Sequence, residues 1–283
     1  LPEMENTFVF ADINRLSTSV NDIESIYKPP FIAQNNIEVP SSFKEAGIIN
    51  YSGNITGMVY DLFANGLLTT NVGNIATDLA LTTEGETGKM SFDGNVDIIE
   101  FQAGRLLEGD NLGVIDMGVN LKGSLDTLGR YDFSFGSQIN KAEYNQYPYS
   151  NINIAGNITN QSFNGELIID DPNLSFEFFG GYEMIEGIPE MDFRADFKAN
   201  PYELNFDTIP SKVGFLMIAD FTGDGINTAS GNLSFANMFL KRKNDSVNIK
   251  EIDINTGKDR GEQFISVKSE YFDINTHGNY NLP

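Results

Sequence analysis

The chain has 283 residues, 40% of them hydrophobic, with 22 phenylalanines, 11 tyrosines and neither cysteine nor tryptophan. A formal net charge of −22 argues against nucleic acid and against an anionic bilayer surface as partners, because like charges would repel at every approach. With a single histidine and no cysteine, neither a zinc site nor a Ser-His-Asp triad is expected. We therefore expect that the chain is not an enzyme and binds no metal or cofactor.

The first predicted elements are a strand and a short helix. Residues 7–13 (TFVFADI) are predicted as a strand, and the segment from Asn21 to Lys28 as a helix of two turns. Asn21 is the predicted N-cap, Glu24 completes a capping box, and Pro29 stops the helix. A helix this short is not expected to organise the fold.

Strands and turns are predicted for nearly all of the remaining chain, because short runs of alternating apolar and polar residues follow one another. The predicted strands are 46–56, 58–70, 74–83, 88–101, 112–124, 130–142, 150–158, 163–170, 173–182, 190–199, 202–207, 213–221, 229–240, 246–255, 262–268 and 270–280.

Residues 191–199 (MDFRADFKA) show this alternation most clearly, with apolar side chains at the odd positions and charged ones between them. A period of two indicates a half-buried strand. The polar connectors 159–162 and 171–172 are too short for a crossover and therefore predict hairpin turns. The predicted fold class is all-β: a curved, mainly antiparallel meander with one short helix near the N-terminus.

A glycine recurs within the predicted strands, followed by Asn or Ser and then an apolar residue. Examples are SGNI at Gly53, AGNI at Gly156 and SGNL at Gly231. Glycine inside a strand usually marks a bulge, a bend or a close backbone approach. If every strand bends at a similar height, the sheet becomes a trough. The alternative is that each glycine only marks its own hairpin turn and that the glycines have no common role.

The apolar face of some sixteen strands is larger than soluble monomers leave exposed, so something must cover it. A second sheet would cover it in a sandwich, closure in a barrel, and another molecule with an apolar body in a trough. Phenylalanines in mid-strand and the lack of Trp disfavour a membrane barrel with aromatic girdles. We expect one continuous, elongated hydrophobic groove over residues 1–283; a β-sandwich or adhesin-like binding module is the alternative.

The predicted groove lining consists of residues on the apolar phase of strands between 152 and 235. They are Ile152, Ile154, Phe163, Leu167, Leu174, Phe176, Phe178, Met191, Phe193, Phe197, Val213, Phe215, Met217, Phe221, Leu233 and Phe235.

Several stretches resemble the repeating region of the TamB family, the translocation and assembly module subunits within the broader AsmA-like group. Gly104 to Leu107 precede a strand that begins at Leu112, and the pair Tyr147 and Tyr149 leads into NINIAGNI. The hairpin FNGELIIDDPNLSFEF and the segments DFRADFKAN and GNLSFANMF also fit. The resemblance covers most of the chain, but it consists of patterns and has no active-site signature.

The resemblance implies a periplasm-spanning protein of outer-membrane biogenesis, anchored in the inner membrane of a Gram-negative bacterium. Its partner would be a BamA-type (TamA-like) outer-membrane barrel. Its groove would carry phospholipid acyl chains between the membranes or assist the assembly of outer-membrane proteins. Because the chain starts without Met and both ends enter apparent strands, we expect a piece of a longer protein.

Three further motifs have simpler interpretations. The segment 220–231 is similar to a calcium-binding loop, but Gly231 occupies the position where that loop needs Glu, so a hairpin turn is favoured. The run 241–243 (KRK) is interpreted as a solvated hairpin tip. Asp-Ser/Thr-apolar triplets are similar to a periplasmic O-glycosylation sequon, or occur by chance; they place possible modification at Thr127, Thr208 and Ser246.

Overall fold

The computed structural model describes residues 7–25, 39, 41–85, 87–107, 109 and 111–280. The chain divides into two compact units, Leu1–Ser150 and Asn151–Pro283. The two units are described separately, and the single continuous groove over 1–283 stays a prediction.

The first unit is an antiparallel meander in which each strand pairs with the next along the chain. The described residues of this unit also form three short helical segments: α1 (Val20–Glu24), a 3-10 helix (Ser41–Ala46) and α2 (Ala103–Leu107). The strands are β1 (Phe8–Ser19), β2 (Ile48–Met58), β3 (Asp61–Thr70), β4 (Gly73–Thr83), β5 (Met90–Gln102), β6 (Leu112–Leu125), β7 (Tyr131–Tyr144) and β8 (Tyr147–Tyr149).

The second unit is also an antiparallel meander, and its described residues contain no helix. Its strands are β9 (Ile152–Thr159), β10 (Ser162–Asp171), β11 (Leu174–Ile185), β12 (Ile188–Ala199), β13 (Ser211–Thr222), β14 (Ser230–Arg242), β15 (Asp245–Asp259), β16 (Glu262–Ser269) and β17 (Asp273–His277).

The predicted fold class, a curved and mainly antiparallel all-β meander, is confirmed. Tight hairpins explain why consecutive strands pair. At the β11–β12 turn, Glu186 and Gly187 have φ angles of 53° and 81°; at the β15–β16 turn, Arg260 and Gly261 have φ angles of 52° and 90°. Two successive positive φ angles are typical of the type I′ turn, whose twist matches that of the strands.

Two predicted elements differ from the structure. Residues 202–207 are not a strand: they belong to a compact loop in which Leu204 is buried and the N–H of Phe206 donates to the carbonyl of Pro201. The helix is α1, with Ser19 and Asp22 as its capping box in place of Asn21 and Glu24. The rest of that predicted helix, 26–28, lies outside the described residues.

The helical segments of the first unit pack at one end of its strands. Ala46 of the 3-10 helix, Leu106 of α2 and Val72 of the β3–β4 turn form a small buried cluster, with Ile49 and Phe101 against it. The guanidinium of Arg105 pairs with Glu45 at 3.0 Å and also donates to the carbonyl of Asn71. The sequence had not indicated the 3-10 helix or α2. Among the described residues, no helix is long and apolar enough to cross a membrane.

Candidate functional site

Strand register gathers the apolar residues of the second unit on one face of its sheet. Residues that pair across strands point to the same face, and alternate residues point to opposite faces. One transverse row shows the result across six strands, β9 to β14: Ile154, Leu167, Phe178, Ala195, Met217 and Phe235.

All sixteen residues of the predicted lining lie on this face, which we call the apolar face of the second unit. From β9 to β13 the residues of this face pair with one another without interruption. The register shifts between Gly214 and Leu216, and beyond that shift β13 and β14 again pair residues of the same face. The structure adds members that the prediction omitted although their phase was the same. They are Ile158, Ile169, Ile252, Ile254 and Val267.

Phenylalanine rings form a file across the apolar face. Four consecutive strands, β11 to β14, contribute Phe176, Phe197, Phe215 and Phe235. Their ring centroids are 6.1, 5.1 and 6.0 Å apart in that order. Phe178 adds a second ring contact, 5.6 Å from Phe193. These spacings are those of favourable aromatic pairs, so the rings hold one another in place.

The apolar face is only partly buried. Ile152 is buried, whereas the other fifteen residues of the predicted lining are half-buried. The fully buried positions belong to small residues between the rings, namely Ala195 (2% exposed) and Ala219 (0%). The rings thus cover the sheet and stay half-exposed themselves, and the described strands of this unit include no second sheet over them.

The opposite face of the second unit is mixed: acidic side chains lie on it beside apolar ones such as Phe179 and Ile218. Glu177 pairs in register with Asp196, and Asp192 with Asp220. Like charges directly opposite each other destabilise a strand pair, and exposure to water reduces that cost. Rows without charged side chains occur on the apolar face, which makes it the candidate site.

Glycines allow the apolar face to bend. Gly156, Gly165 and Gly180 lie in register on three consecutive strands. Gly180 has a φ of 133°, and a Cβ placed there would collide with the carbonyl oxygen of Asp192. Gly231 (φ 141°) is in the same position relative to Asp220, but lies one row away. The glycines at which bends were predicted therefore lie at neighbouring heights, staggered between strands.

The first unit has an apolar face of its own, for which no lining residues were predicted. One transverse row joins Ile55, Ala64, Leu79, Gly94 and Leu121. The same two-residue period that identified strands of the second unit was present in these sequences.

The Asp-Thr-apolar triplets have a structural role. The Oδ1 atom of Asp126 accepts from the N–H of Leu128 at 2.9 Å, and that of Asp207 accepts from the N–H of Ile209 at 3.1 Å. These are Asx turns, and they account for Asp at this position. Thr127 and Thr208 are exposed beside them; Ser246 is exposed but lies within β15, not in a turn.

The second of these turns is reinforced electrostatically. The pKa of Asp207 lies below its usual value, first because the Ile209 N–H donates to the carboxylate, and then because of Ser211 and Arg242. The Arg242 guanidinium is 3.1 Å from the Asp207 carboxylate, and the Ser211 hydroxyl is 3.2 Å from it. This network fixes the loop between β12 and β13.

The segment similar to a calcium loop is a turn between β13 and β14. The Thr228 hydroxyl donates to the Asp224 carboxylate at 2.7 Å and accepts from the Gly225 N–H at 3.0 Å. Within the described residues no group of three or more His, Asp or Glu side chains is placed to hold a metal ion.

The fold and the candidate site define an antiparallel β-meander protein in which each unit has an apolar face. Comparison with family models, with curated proteins and with solved structures gave no match.

Proposed function

We propose that the apolar face of the second unit carries the acyl chains of phospholipids. The chain would then be a segment of a TamB-like, periplasm-spanning protein, anchored in the inner membrane and partnered with a BamA-type barrel. The face would move lipid between the two membranes or assist outer-membrane protein assembly. The file of phenylalanines on an uncovered, half-buried face is the observation that supports this proposal.

The chemistry of the face suits an acyl chain. Its rows are hydrocarbon from strand to strand, and no titratable side chain interrupts the row from Ile154 to Phe235. Moving a methylene group from water to an apolar surface is worth about 0.8 kcal/mol when it is fully buried. An open face covers only one side of the ligand, so we expect a smaller increment, an affinity gain of up to roughly fourfold per methylene.

The face does not supply what a packed β-sandwich needs. A sandwich would cover the apolar rows with a second sheet, whereas the described strands of each unit form one sheet. The adhesin-like alternative therefore has no observation in its favour.

Native mass spectrometry of the purified chain tests the proposal by asking whether phospholipid co-purifies. Phe178 and Phe179 provide a matched pair of variants, because they are adjacent in β11 and point to opposite faces. We expect Phe178→Arg to remove the bound lipid and Phe179→Arg to retain it. Equal retention by both variants, or no phospholipid on the wild-type protein after extraction from membranes, would contradict the proposal.

A further inference from the structure

Asparagine and aspartate side chains form one transverse row across the first six strands of the first unit. Each member pairs in register with the next, from β1 to β6. Asn54 directly precedes Ile55 of this unit's apolar row, so the two rows lie on opposite faces of the sheet. The members, all exposed, are Asp12, Asn54, Asn65, Asp78, Asn95 and Asn120. We call them the Asn/Asp row.

The row gives the asparagine of the recurring Gly-Asn motif a common position. Gly53 and Gly94 lie on the apolar side, and the asparagines that follow them, Asn54 and Asn95, both enter the row. Asparagine is depleted in strands, so propensity does not explain this repetition.

Contacts within the protein do not explain the row either. The side chains of Asn54, Asn65 and Asn95 form no hydrogen bond with other described residues. The Tyr51 hydroxyl donates to the backbone carbonyl of Asn65, not to its side chain. The amides of the row are therefore available to a ligand.

Two exposed phenylalanines border the row. Phe10 is 71% exposed and Phe63 is 44% exposed. They lie two residues before Asp12 and Asn65, and both pair with Thr56 of β2, so the rings share the face of the row. Neither ring packs against another aromatic ring of the described residues. Apolar surface beside convergent hydrogen-bonding groups is typical of a ligand-binding surface.

The surface along the row is concave. Gly136 continues the row on β7, and its lack of a side chain leaves open space there. One hollow of about 650 Å³ has as its polar side chains on this face Ser52, Asn65, Asp78, Asn95 and Asp97. A second hollow, of about 870 Å³, shares three of these residues and continues the surface with Asp116, Asn120, Gln138 and Asn140. Together the two hollows cross the strands from β2 to β7.

The side chains of the hollows suit a ligand that carries many hydroxyl groups. An amide both donates and accepts hydrogen bonds, an ionised carboxylate only accepts them, and a hydroxyl group complements both. The rings of Phe10 and Phe63 offer an apolar surface to the C–H face of a sugar ring. Asp78, Asp97 and Asp116 line the hollows without any Lys or Arg in the described lining, so an anionic ligand would be repelled.

The spacing of the row suits an extended carbohydrate chain. Neighbouring strands lie about 4.8 Å apart, so the side chains of the row repeat at about that distance. The sugar rings of an extended, β-1,4-linked chain advance by a similar distance, which allows one ring to face each strand. The span from β2 to β7 therefore accommodates roughly five rings.

We propose that this face of the first unit binds an extended, uncharged oligosaccharide along the Asn/Asp row, with Phe10 and Phe63 stacking on its sugar rings. The proposal goes beyond the proposed function and does not depend on it, because the acyl-chain proposal concerns the apolar face of the second unit.

The test uses the whole chain and four hexasaccharides. Cellohexaose and chitohexaose are extended and uncharged, maltohexaose is curved and uncharged, and a heparin hexasaccharide is polyanionic. The variants are Phe63→Ala and Asn65→Ala. Their controls are Phe43→Ala, 42% exposed in the 3-10 helix, and Asn111→Ala, exposed in the turn before β6. Affinity is measured by calorimetry, and the backbone amides of residues 10, 54, 65 and 95 are followed by NMR.

We expect cellohexaose or chitohexaose to bind the wild type and to shift the four amides. Phe63→Ala and Asn65→Ala should each weaken that binding at least about fivefold, because a ring contact or hydrogen bond worth roughly 1 kcal/mol corresponds to that factor. Both controls should match the wild type. Bound phospholipid, measured by native mass spectrometry, should be the same in all four variants.

The opposite results would overturn the proposal. Failure of both extended, uncharged probes to bind would do so, and so would equal affinity of the wild type and all four variants. Tighter binding of the heparin hexasaccharide would refute an uncharged ligand, and equal affinity for maltohexaose would refute the match to an extended chain. If Phe63→Ala lowers the melting temperature, Asn65→Ala decides the outcome, because it removes only an exposed amide.

Discussion

Substituting Phe215 by Arg distinguishes an open apolar face from a covered one. Phe215 is half-buried and has two ring neighbours, Phe197 at 5.1 Å and Phe235 at 6.0 Å. Loss of two aromatic pairs costs about 1–3 kcal/mol. On an open face the arginine stem still covers apolar surface while its guanidinium reaches water, which limits any further cost.

A face covered by packed protein predicts a much larger effect. An uncompensated charge would then be buried, and destabilisation of more than about 4 kcal/mol would be expected. On the open face, a loss near 2 kcal/mol should lower the melting temperature by roughly 5–10 °C. The two cases are therefore separable by thermal denaturation.

The assay compares Phe215→Arg with Ile218→Arg, which lies in the same strand but on the opposite face and is 43% exposed. We expect both variants to fold, and only Phe215→Arg to lose bound phospholipid and to fail in supporting outer-membrane integrity in cells. Cooperative unfolding of Phe215→Arg at room temperature, with Ile218→Arg intact, would refute the open face. A folded Phe215→Arg that still carried lipid would refute the acyl path.

Three other predictions follow from particular residues. Gly180→Ala should destabilise the second unit by about 1–3 kcal/mol in urea denaturation, because φ is positive there and the added methyl group meets the Asp192 carbonyl. Gly136→Ala, where the added methyl group enters open space, should change stability by less than about 1 kcal/mol, and equal urea midpoints for the two variants would contradict the close approach at Gly180. The pKa of Asp207 is lowered in the fold, so its contribution to stability is present above the unfolded pKa near 4 and is lost as pH falls further. The Ile209 amide should therefore exchange faster with solvent at pH 3 than at pH 6, after correction for intrinsic rates, and Asp207→Asn should abolish that difference. If the sequons are used, the intact mass from the native host should exceed the sequence mass, and changing Thr127, Thr208 and Ser246 to Ala should remove the excess; an unmodified native mass would end that hypothesis.

Local pattern was enough to predict most of the sheet. The alternation in residues 191–199 predicts β12 to within a few residues, and it also predicts which of its side chains share a face with those of β11 and β13. Short polar connectors predict hairpins, and hairpins fix antiparallel neighbours. The common face of the sixteen predicted residues followed from phase alone, because a one-residue slip would move every side chain to the other face.

The same pattern failed where local hydrogen bonds compete with strand pairing. Tyr202, Leu204 and Phe206 alternate as a strand would, yet the carbonyls of Asn200 and Pro201 accept from the N–H groups of Leu204 and Phe206 and close turns. Helix capping failed for a related reason, since several Ser, Asn, Asp and Glu residues near position 20 were competent and only the end of β1 decides among them.

The concavity lined by Lys212, Lys241 and Lys243 could not be predicted for a different reason. Lys212 and Lys241 become neighbours only through the register of β13 with β14, across a long turn and a bulge. The run at 241–243 was visible in the sequence, but its partner on the preceding strand and the wall supplied by the 200–210 loop were not.

Pairing between consecutive strands alone has a consequence for how such a protein can change length. When each strand in a unit depends on the strands before and after it, stability is close to a sum of nearest-neighbour terms, as in linear repeat proteins. A hairpin can then be inserted or deleted without redesigning a central core, and each added strand extends the sheet by about 4.8 Å. Contacts between chain neighbours also keep loop-closure costs low, so folding can start at any hairpin and spread outwards. Evolution can thus fit such a sheet to a required distance in small steps, leaving the chemistry of its two faces unchanged.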